Sequence, residues 1–246
     1  KILAILTLVL FIFSSFSIPS EAKSAEPDDY PNGWTHRPIM EQFTSLGCSP
    51  CMGIDPDVAK LWKEFREDPA EPVTFISFHQ TNGGSSDDEF VSQESKDRYN
   101  FYSVQGTPDA QFDGGYIEEL GGGEGTHDTY KDHYFESGER DVKPTELRVW
   151  QEFQENKFIF TVNLTYLGEG GFNLPTDPDV LDSSVYLFVV EDDIMAWSSV
   201  EGKEVMTHNV FREIALGNEQ VELLPGETWT SEIEWTIPDT IMYPSG

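Results

Sequence analysis

Hydrophobic and polar positions follow two different rhythms along this chain. From Ile39 to Phe43 apolar residues crowd a short stretch that ends at Thr44-Ser45-Leu46-Gly47, as a strand running into a turn does. Val58, Leu61, Trp62 and Phe65 then recur at i, i+3, i+4 and i+7, the spacing of one apolar helix face. Asp68-Pro69 and Glu71-Pro72 end that helix, because proline lacks an amide donor and pushes the preceding residue towards extended geometry. Val73–Phe78 is continuously apolar and β-branched, as a buried central strand must be. A polar loop over His79–Asp88 leads to Phe90–Tyr102, which can wind a second helix. A short strand at Ala110–Phe112 closes at Asp113-Gly114-Gly115, a hairpin-type turn, and His127–Glu139 follows Gly121–Gly125 as a weakly amphipathic last helix.

After Pro144 the period drops to two. Phe158, Phe160, Val162, Leu164 and Tyr166 alternate with Thr161, Asn163 and Thr165. Trp229, Ser231, Ile233, Trp235 and Ile237 alternate with Thr228, Thr230, Glu232, Glu234 and Thr236. Val185–Val190 is continuously apolar, and Glu155-Asn156 supplies a turn between Leu147–Phe153 and Lys157–Leu167. Strands with one polar face and no long helix predict an antiparallel sandwich. The boundary is placed near Lys143-Pro144. The fold class expected is therefore an α/β domain over 25–143 followed by an all-β antiparallel sandwich over 144–246, the latter short of its C-terminal end.

Residues 1–24 read differently from both. Lys1, a short apolar run through Ile2–Phe13 and small residues at Ser20, Ala22 and Ser24 match a secretory signal peptide with its cleavage site. The run is too short for a comfortable membrane span, so no transmembrane segment is expected after cleavage. The chain starts without Met and stops at Pro244-Ser245-Gly246, just after a strand-like run, which suggests that both ends are clipped.

Charge removes whole classes of partner. The net charge is −30, from 15 Lys and Arg against 45 Asp and Glu, so a nucleic-acid partner is excluded for want of a basic face. Anionic lipid surfaces are excluded for the same reason. Aromatic residues at 13% argue for a packed globule and not an acidic disordered tail. The acidity is spread over both halves, as a solubility property of the whole surface would be. Asp87-Asp88-Glu89 and Glu191-Asp192-Asp193 lack the alternating ligand spacing of a calcium loop and read as solvated loops.

The chemistry centres on Cys48-Ser49-Pro50-Cys51, the only cysteines in the chain. At the junction of a strand and a helix, this spacing lets the two sulfurs bridge without large strain. A helix N-terminus favours a thiolate on Cys48, and Pro50 has no amide to lose there. An accessible Cys48 would then be the nucleophile, with a more buried Cys51 resolving the mixed disulfide. An inert staple of a secreted protein is the other reading. Among His36, His79, His127, His133 and His208 no ligand spacing is visible, and only His79, ending the central strand, could meet the pair to hold copper or zinc. No metal and no cofactor is expected.

Other residues read as structure. Trp197, Trp229 and Trp235 are expected in the sandwich core or rim. His208 is expected to be a satisfied structural histidine. Asn163-Leu164-Thr165 matches a glycosylation sequon but falls inside a predicted strand.

The stretch from Ile39 to Tyr116 resembles the thioredoxin superfamily: strand, Cys-Ser-Pro-Cys opening a helix, central strand, helix, then Thr107-Pro108 entering a strand. The resemblance implies a cis Pro108 packed against the disulfide, with the Thr107 backbone offering strand-like pairing to a substrate peptide. Glu41-Gln42-Phe43-Thr44-Ser45-Leu46-Gly47 with the cysteine motif is more closely similar to the "outer membrane protein twenty-eight"-related family, as is Thr207-His208-Asn209-Val210-Phe211-Arg212. Those are exported proteins with a thioredoxin-like domain followed by a β-rich domain. Two positions depart from thioredoxins proper: Gly47 stands where they carry Trp, and Gln42 where they carry a buried Asp. Since Gln42 cannot titrate, the departures point to slower exchange or to a domain without turnover.

The function expected is thiol–disulfide exchange on exported protein thiols or disulfides, with an unidentified redox partner, in a periplasmic, cell-surface or secreted setting. Cys48 and Cys51 would carry the chemistry, and Thr107 and Pro108 would shape the substrate groove. The rival is a surface or adhesion module with a structural Cys48–Cys51 bridge.

Overall fold

A computed structural model of the chain describes residues 4–12, 33–67, 73–81, 88–168 and 179–238, of which 4–12 are described by their backbone alone. The first half runs β1 (Ala4–Ile12), β2 (Ile39–Thr44), α1 (Ser49–Glu67), β3 (Thr74–His79), α2 (Gln93–Phe101), β4 (Asp109–Phe112), β5 (Ile117–Leu120) and α3 (Thr126–Gly138). The second half runs β6 (Thr145–Gln154), β7 (Lys157–Tyr166), β8 (Leu181–Glu191), β9 (Ile194–Ser198), β10 (Lys203–Thr207), β11 (Val210–Leu223) and β12 (Thr228–Thr236). The fold is mixed α/β and β-rich.

The helix read from Val58, Leu61, Trp62 and Phe65 is α1, and all four side chains are buried. They pack with Tyr130 and Tyr134 of α3 onto Met40, Phe75, Ala110 and Phe112 of the sheet. The second helix starts later than Phe90. Ser92 caps it instead, accepting from Ser95 N at 3.0 Å while Ser95 Oγ accepts from Ser92 N at 3.1 Å. Phe90 is thereby freed to turn inward against the ring of His79. The turn after β4 holds Asp113, Gly114 and Gly115 all at positive φ, which explains the glycines there.

Strand order in the main sheet is β1-β8-β11-β3-β2-β4-β5. β2 and β3 are parallel, and β4 and β5 return antiparallel. The second half does not form a free-standing sandwich of its own. β8 and β11 hydrogen-bond into the first half's sheet across the Lys143-Pro144 junction, β11 parallel to β3 through Val210 and Ser77. The physical reason lies in β8, which is buried on both faces and needs two covered sides.

One side of β8 meets Phe78, Phe211 and Ile76. The other meets the separate three-stranded sheet β12-β7-β6 through Leu187, Val189, Phe160, Val162, Ile233 and Trp235. The alternation seen in β7 and β12 thus faces an extension of the first sheet. Trp235 is core and Trp229 packs at its edge, whereas Trp197 is 55% exposed on a different element.

The apolar part of the expected leader, Ala4–Ile12, stands as an edge strand parallel to β8. The expected cleavage region lies outside the described residues. No described helix is long and apolar enough to cross a membrane.

Successive β2 residues face opposite sides of the sheet, and both sides are buried. Glu41, on the α2 side, is fully buried and takes a bidentate pair from Arg98, Nε at 2.6 Å and Nη2 at 2.7 Å, with Tyr102 Oη also donating to it. Removing one partner strands the other charge in a dry interior. Arg98→Ala is expected to lower stability by about 3–5 kcal/mol in denaturant unfolding, and a replacement of both Glu41 and Arg98 by apolar residues to cost clearly less than the single change.

Candidate functional site

Cys48 ends the turn after β2 and Cys51 lies in the first turn of α1. The two are joined in a disulfide with their Cα atoms 5.2 Å apart. Ser49 and Pro50 occupy the helix start, where a missing amide hydrogen costs nothing. The amide of Cys51 donates to Cys48 Sγ at 3.2 Å, so the positive end of the helix addresses that sulfur. Any negative charge developing on Cys48 is stabilised there.

The Thr107–Pro108 bond is cis. Thr107 Oγ1 donates to Cys48 Sγ at 3.5 Å, and the Thr107 carbonyl oxygen lies at the same distance. A disulfide sulfur has no hydrogen, so that second contact becomes a hydrogen bond only when Cys48 is a thiol. Cys48, Cys51 and Thr107 therefore meet at one point of the fold, and Pro108 follows Thr107 through the cis bond.

Access differs from expectation. Cys48 and Cys51 are both 0% exposed, so Cys48 is not the accessible member of the pair. Cys48 and Cys51 belong to one buried cluster with Leu46, Met52, Phe90, Val210 and Ala196, and Ile194 and Val205 of the β9–β10 hairpin pack against it. Ser198 Oγ, at the end of β9, donates to the Leu46 carbonyl at 2.8 Å and fastens the hairpin to the Cys48 loop. The cover comes from the second half of the chain, and the first-half motif contains no hint of it. A signal for the hairpin itself was present: Ile194, Ala196 and Ser198 alternate, as do Val205 and Thr207, on either side of Gly202.

Asp88 is a second residue that the sequence reading missed. It is no solvated loop carboxylate. Its Oδ2 accepts from Leu46 N at 2.8 Å and contacts His79 Nδ1 at 2.8 Å, and its Oδ1 accepts from Phe90 N at 3.1 Å. Burial pushes its pKa up, but the His79 hydrogen bond and charge, with the two backbone amides, outweigh that and hold it below the usual carboxylate value. Asp88 thus orders the turn that presents Cys48. It also occupies the Nδ1 of His79, the histidine through which the sequence reading would have built a copper or zinc site.

Glu191-Asp192-Asp193 is not a free acidic loop either. Ligand-type atoms of Asp192, Asp193 and His208 lie within 4.8 Å of one another. The Arg66 guanidinium already sits on them, 2.9 Å from Asp192 and 3.5 Å from Asp193, so the two carboxylates already share a cation of the protein. Asp192 itself is nearly buried.

Gln42 is buried on β2, and its Nε2 has no hydrogen-bond partner among the described residues. A shallow hollow of about 410 Å³ lies beside the helix start, lined by Pro50, Gly53, Ile54, Asp57 and residues 122–125. Neither cysteine lines it.

No known protein family's profile matches this sequence, and no curated protein is significantly similar to it. Solved structures do share the fold. HBP35 of Porphyromonas gingivalis superimposes with a TM-score of 0.58 at 14% identity, covering 83% of this chain. The matched region is 65% of that protein, so this chain spans just under two thirds of its length. A structural-genomics protein from Agrobacterium tumefaciens gives a TM-score of 0.48 at 15% identity, over 81% of this chain and 78% of that one. At 14% identity the likeness to HBP35 is one of fold.

The Asp88 contacts yield a pH-dependent expectation. A carboxylate whose pKa is depressed by folding contributes stability above its unfolded value, near 4, and loses it as pH falls towards the folded value. Asp88→Asn is expected to cost about 1–3 kcal/mol at neutral pH. In denaturant titrations, that gap should narrow once pH drops below about 4.

Proposed function

We propose that this chain is an exported thiol–disulfide exchange protein of thioredoxin-like build, acting on thiols or disulfides of exported proteins through Cys48 and Cys51. The observation that carries the reading is the convergence on Cys48 Sγ of the α1 start, through the Cys51 amide at 3.2 Å, and of Thr107 at 3.5 Å. These are the groups that a leaving or attacking thiolate needs around it. The mixed α/β fold shared with HBP35 supports the reading at the level of fold.

In this reading a substrate thiolate attacks Cys48 Sγ, the Cys48–Cys51 bond breaks, and Cys51 leaves as a thiolate that takes up a proton. A second substrate thiolate then attacks the substrate sulfur of the mixed disulfide. The substrate gains a disulfide, and Cys48 leaves as a thiolate under the helix amide. The same steps reversed reduce a substrate disulfide, with Cys48 attacking and Cys51 resolving. Thr107 and Pro108 shape the groove in which the substrate strand lies. Export would rest on residues 1–24 as a leader, ahead of a thioredoxin-like unit over 25–143 and a β-rich second half over 144–246 whose β8 and β11 complete the sheet of the first. The setting would be periplasmic, cell-surface or secreted, where a disulfide persists.

The full burial of both sulfurs favours a second reading. In it, the bridge is a structural staple in a surface or adhesion module. Cys51→Ser separates the two. Exchange predicts covalent adducts of that variant with exported proteins through Cys48, and few from Cys48→Ser, read by non-reducing gels and mass spectrometry. Negligible trapping from both variants and from the unmodified protein, with the fold intact, decides for the staple.

A further inference from the structure

The cover over the disulfide is built unlike the rest of the sheet structure. β9 and β10 pair only with each other among the described residues, and an isolated two-stranded ribbon is marginal by itself. What holds it down must therefore lie in its inner face and its base. The inner face is the Ala196, Ile194 and Val205 contact with the disulfide cluster and the Ser198 bond to Leu46. The outer face leaves Met195, Trp197 and Met206 exposed.

The base is an ion cluster. The chain enters the hairpin through Asp192-Asp193 and leaves it through His208-Asn209. His208 Nδ1 lies 3.2 Å from Asp192 Oδ1 and 3.0 Å from Asp193 Oδ1, tying one leg to the other. Arg66 of α1 pairs with both carboxylates and ties the legs to the body of the protein. Asn209, fully buried beside His208, has both side-chain polar atoms without a partner among the described residues. The closed arrangement therefore carries an unpaid desolvation cost at its hinge.

We propose that β9–β10 is a gate over Cys48–Cys51, shut while His208 is protonated against Asp192 and Asp193 and released when it loses that proton. The proposal rests on the reading of the pair as an exchange site, and it names the regulation of that site.

The groups facing the latch do not all act in one direction, and the carboxylates of Asp192 and Asp193 dominate at His208. The hydrogen bond to Asp192 raises the His208 pKa, burial opposes it, and the charges of Asp192 and Asp193 add to the rise. A histidine with a raised pKa in the shut form stabilises that form below its ordinary value near 6.5, and the stabilisation is lost as pH climbs through the raised value. Asp55 of α1 lies within electrostatic reach of His208, of His79 on β3 and of Glu201 in the hairpin turn. Burial pushes it up to about 6, the two histidines oppose this and Glu201 adds to it. Above that pH its carboxylate attracts protonated His208 more strongly than it repels Glu201, so through His208 it supports the shut form. Arg66 carries its charge throughout and sets the part of the latch that pH does not release.

The test uses the full chain in its oxidised form and a water-soluble trialkylphosphine as the probe. The phosphine takes its oxygen from water and becomes the oxide, while the disulfide gains two electrons and two protons. Thiol release is followed between about pH 5 and pH 8 and divided by the rate for oxidised glutathione at the same pH. The normalised rate is expected to rise about tenfold across the range as His208 loses its proton. His208→Gln should already react fast at the acid end and show a flat profile. His208→Lys should stay slow to the alkaline end. Ser198→Ala should raise the rate at every pH and keep the slope.

A protein disulfide that reacts as fast as glutathione at acid pH would show that no gate exists. Profiles of His208→Gln and His208→Lys that superimpose on the unmodified protein would overturn the latch. If His208→Gln fails to fold, the lysine variant decides alone. The phosphine reports access and not turnover, so failed trapping with Cys51→Ser alongside this pH profile would sink the exchange reading and leave the gate standing.

Discussion

Ser77 N–H donates to the Asn209 carbonyl at 2.9 Å, and beside that bond Val210 of β11 pairs with β3. This short seam joins the two halves of the chain in one sheet. It lies near the end of β3 that leads to His79, the end at which β2 runs into the Cys48 turn. Because β11 must start there, the excursion between β8 and β11 emerges over the cysteines. The seam therefore places β9–β10 on the disulfide.

Buried charge gives this end of the molecule its order. Asp88 holds Leu46 N, Phe90 N and His79 with one carboxylate, and Glu41 holds Arg98 on the opposite side of the sheet. Each sits in a dry setting with its polar partners in place; neither would be tolerated alone. The result is a Cys48 turn anchored to the next loop through the Asp88 carboxylate. The hairpin above is different, since it is held by a small apolar patch, one hydroxyl and the ion cluster at its base. An anchored site beneath a separately attached cover is the arrangement in which access can be regulated without disturbing the site.

Much of this was legible in the residues. The i, i+3, i+4, i+7 pattern located α1, the continuous apolar run located β3, and the period-two alternation located β7 and β12, because each reflects burial within one element. Cys48 and Cys51 are bridged, and Thr107 contacts Cys48 Sγ. The start of α2 was misplaced because a Ser92–Ser95 capping box competes with the apolar Phe90, and the cap won. The short strands β9 and β10 and the bulged β11 escaped notice. β11 carries Gly217-Asn218 and repeated register shifts against β8, which erase a clean period.

The local sequence, then, determined the elements, the disulfide motif and the helix end that addresses Cys48, since these depend on neighbours within a few residues. Tertiary structure alone decided three things: that the halves share one sheet, that Asp88 is a buried anchor, and that Cys48 lies under a hairpin. Each is a contact between segments far apart in the chain. The Ser198–Leu46 bond, for instance, spans 152 positions. A residue's own neighbours carry information about its preferred backbone, but what shields it from water depends on which remote surface the packing of both halves brings to it.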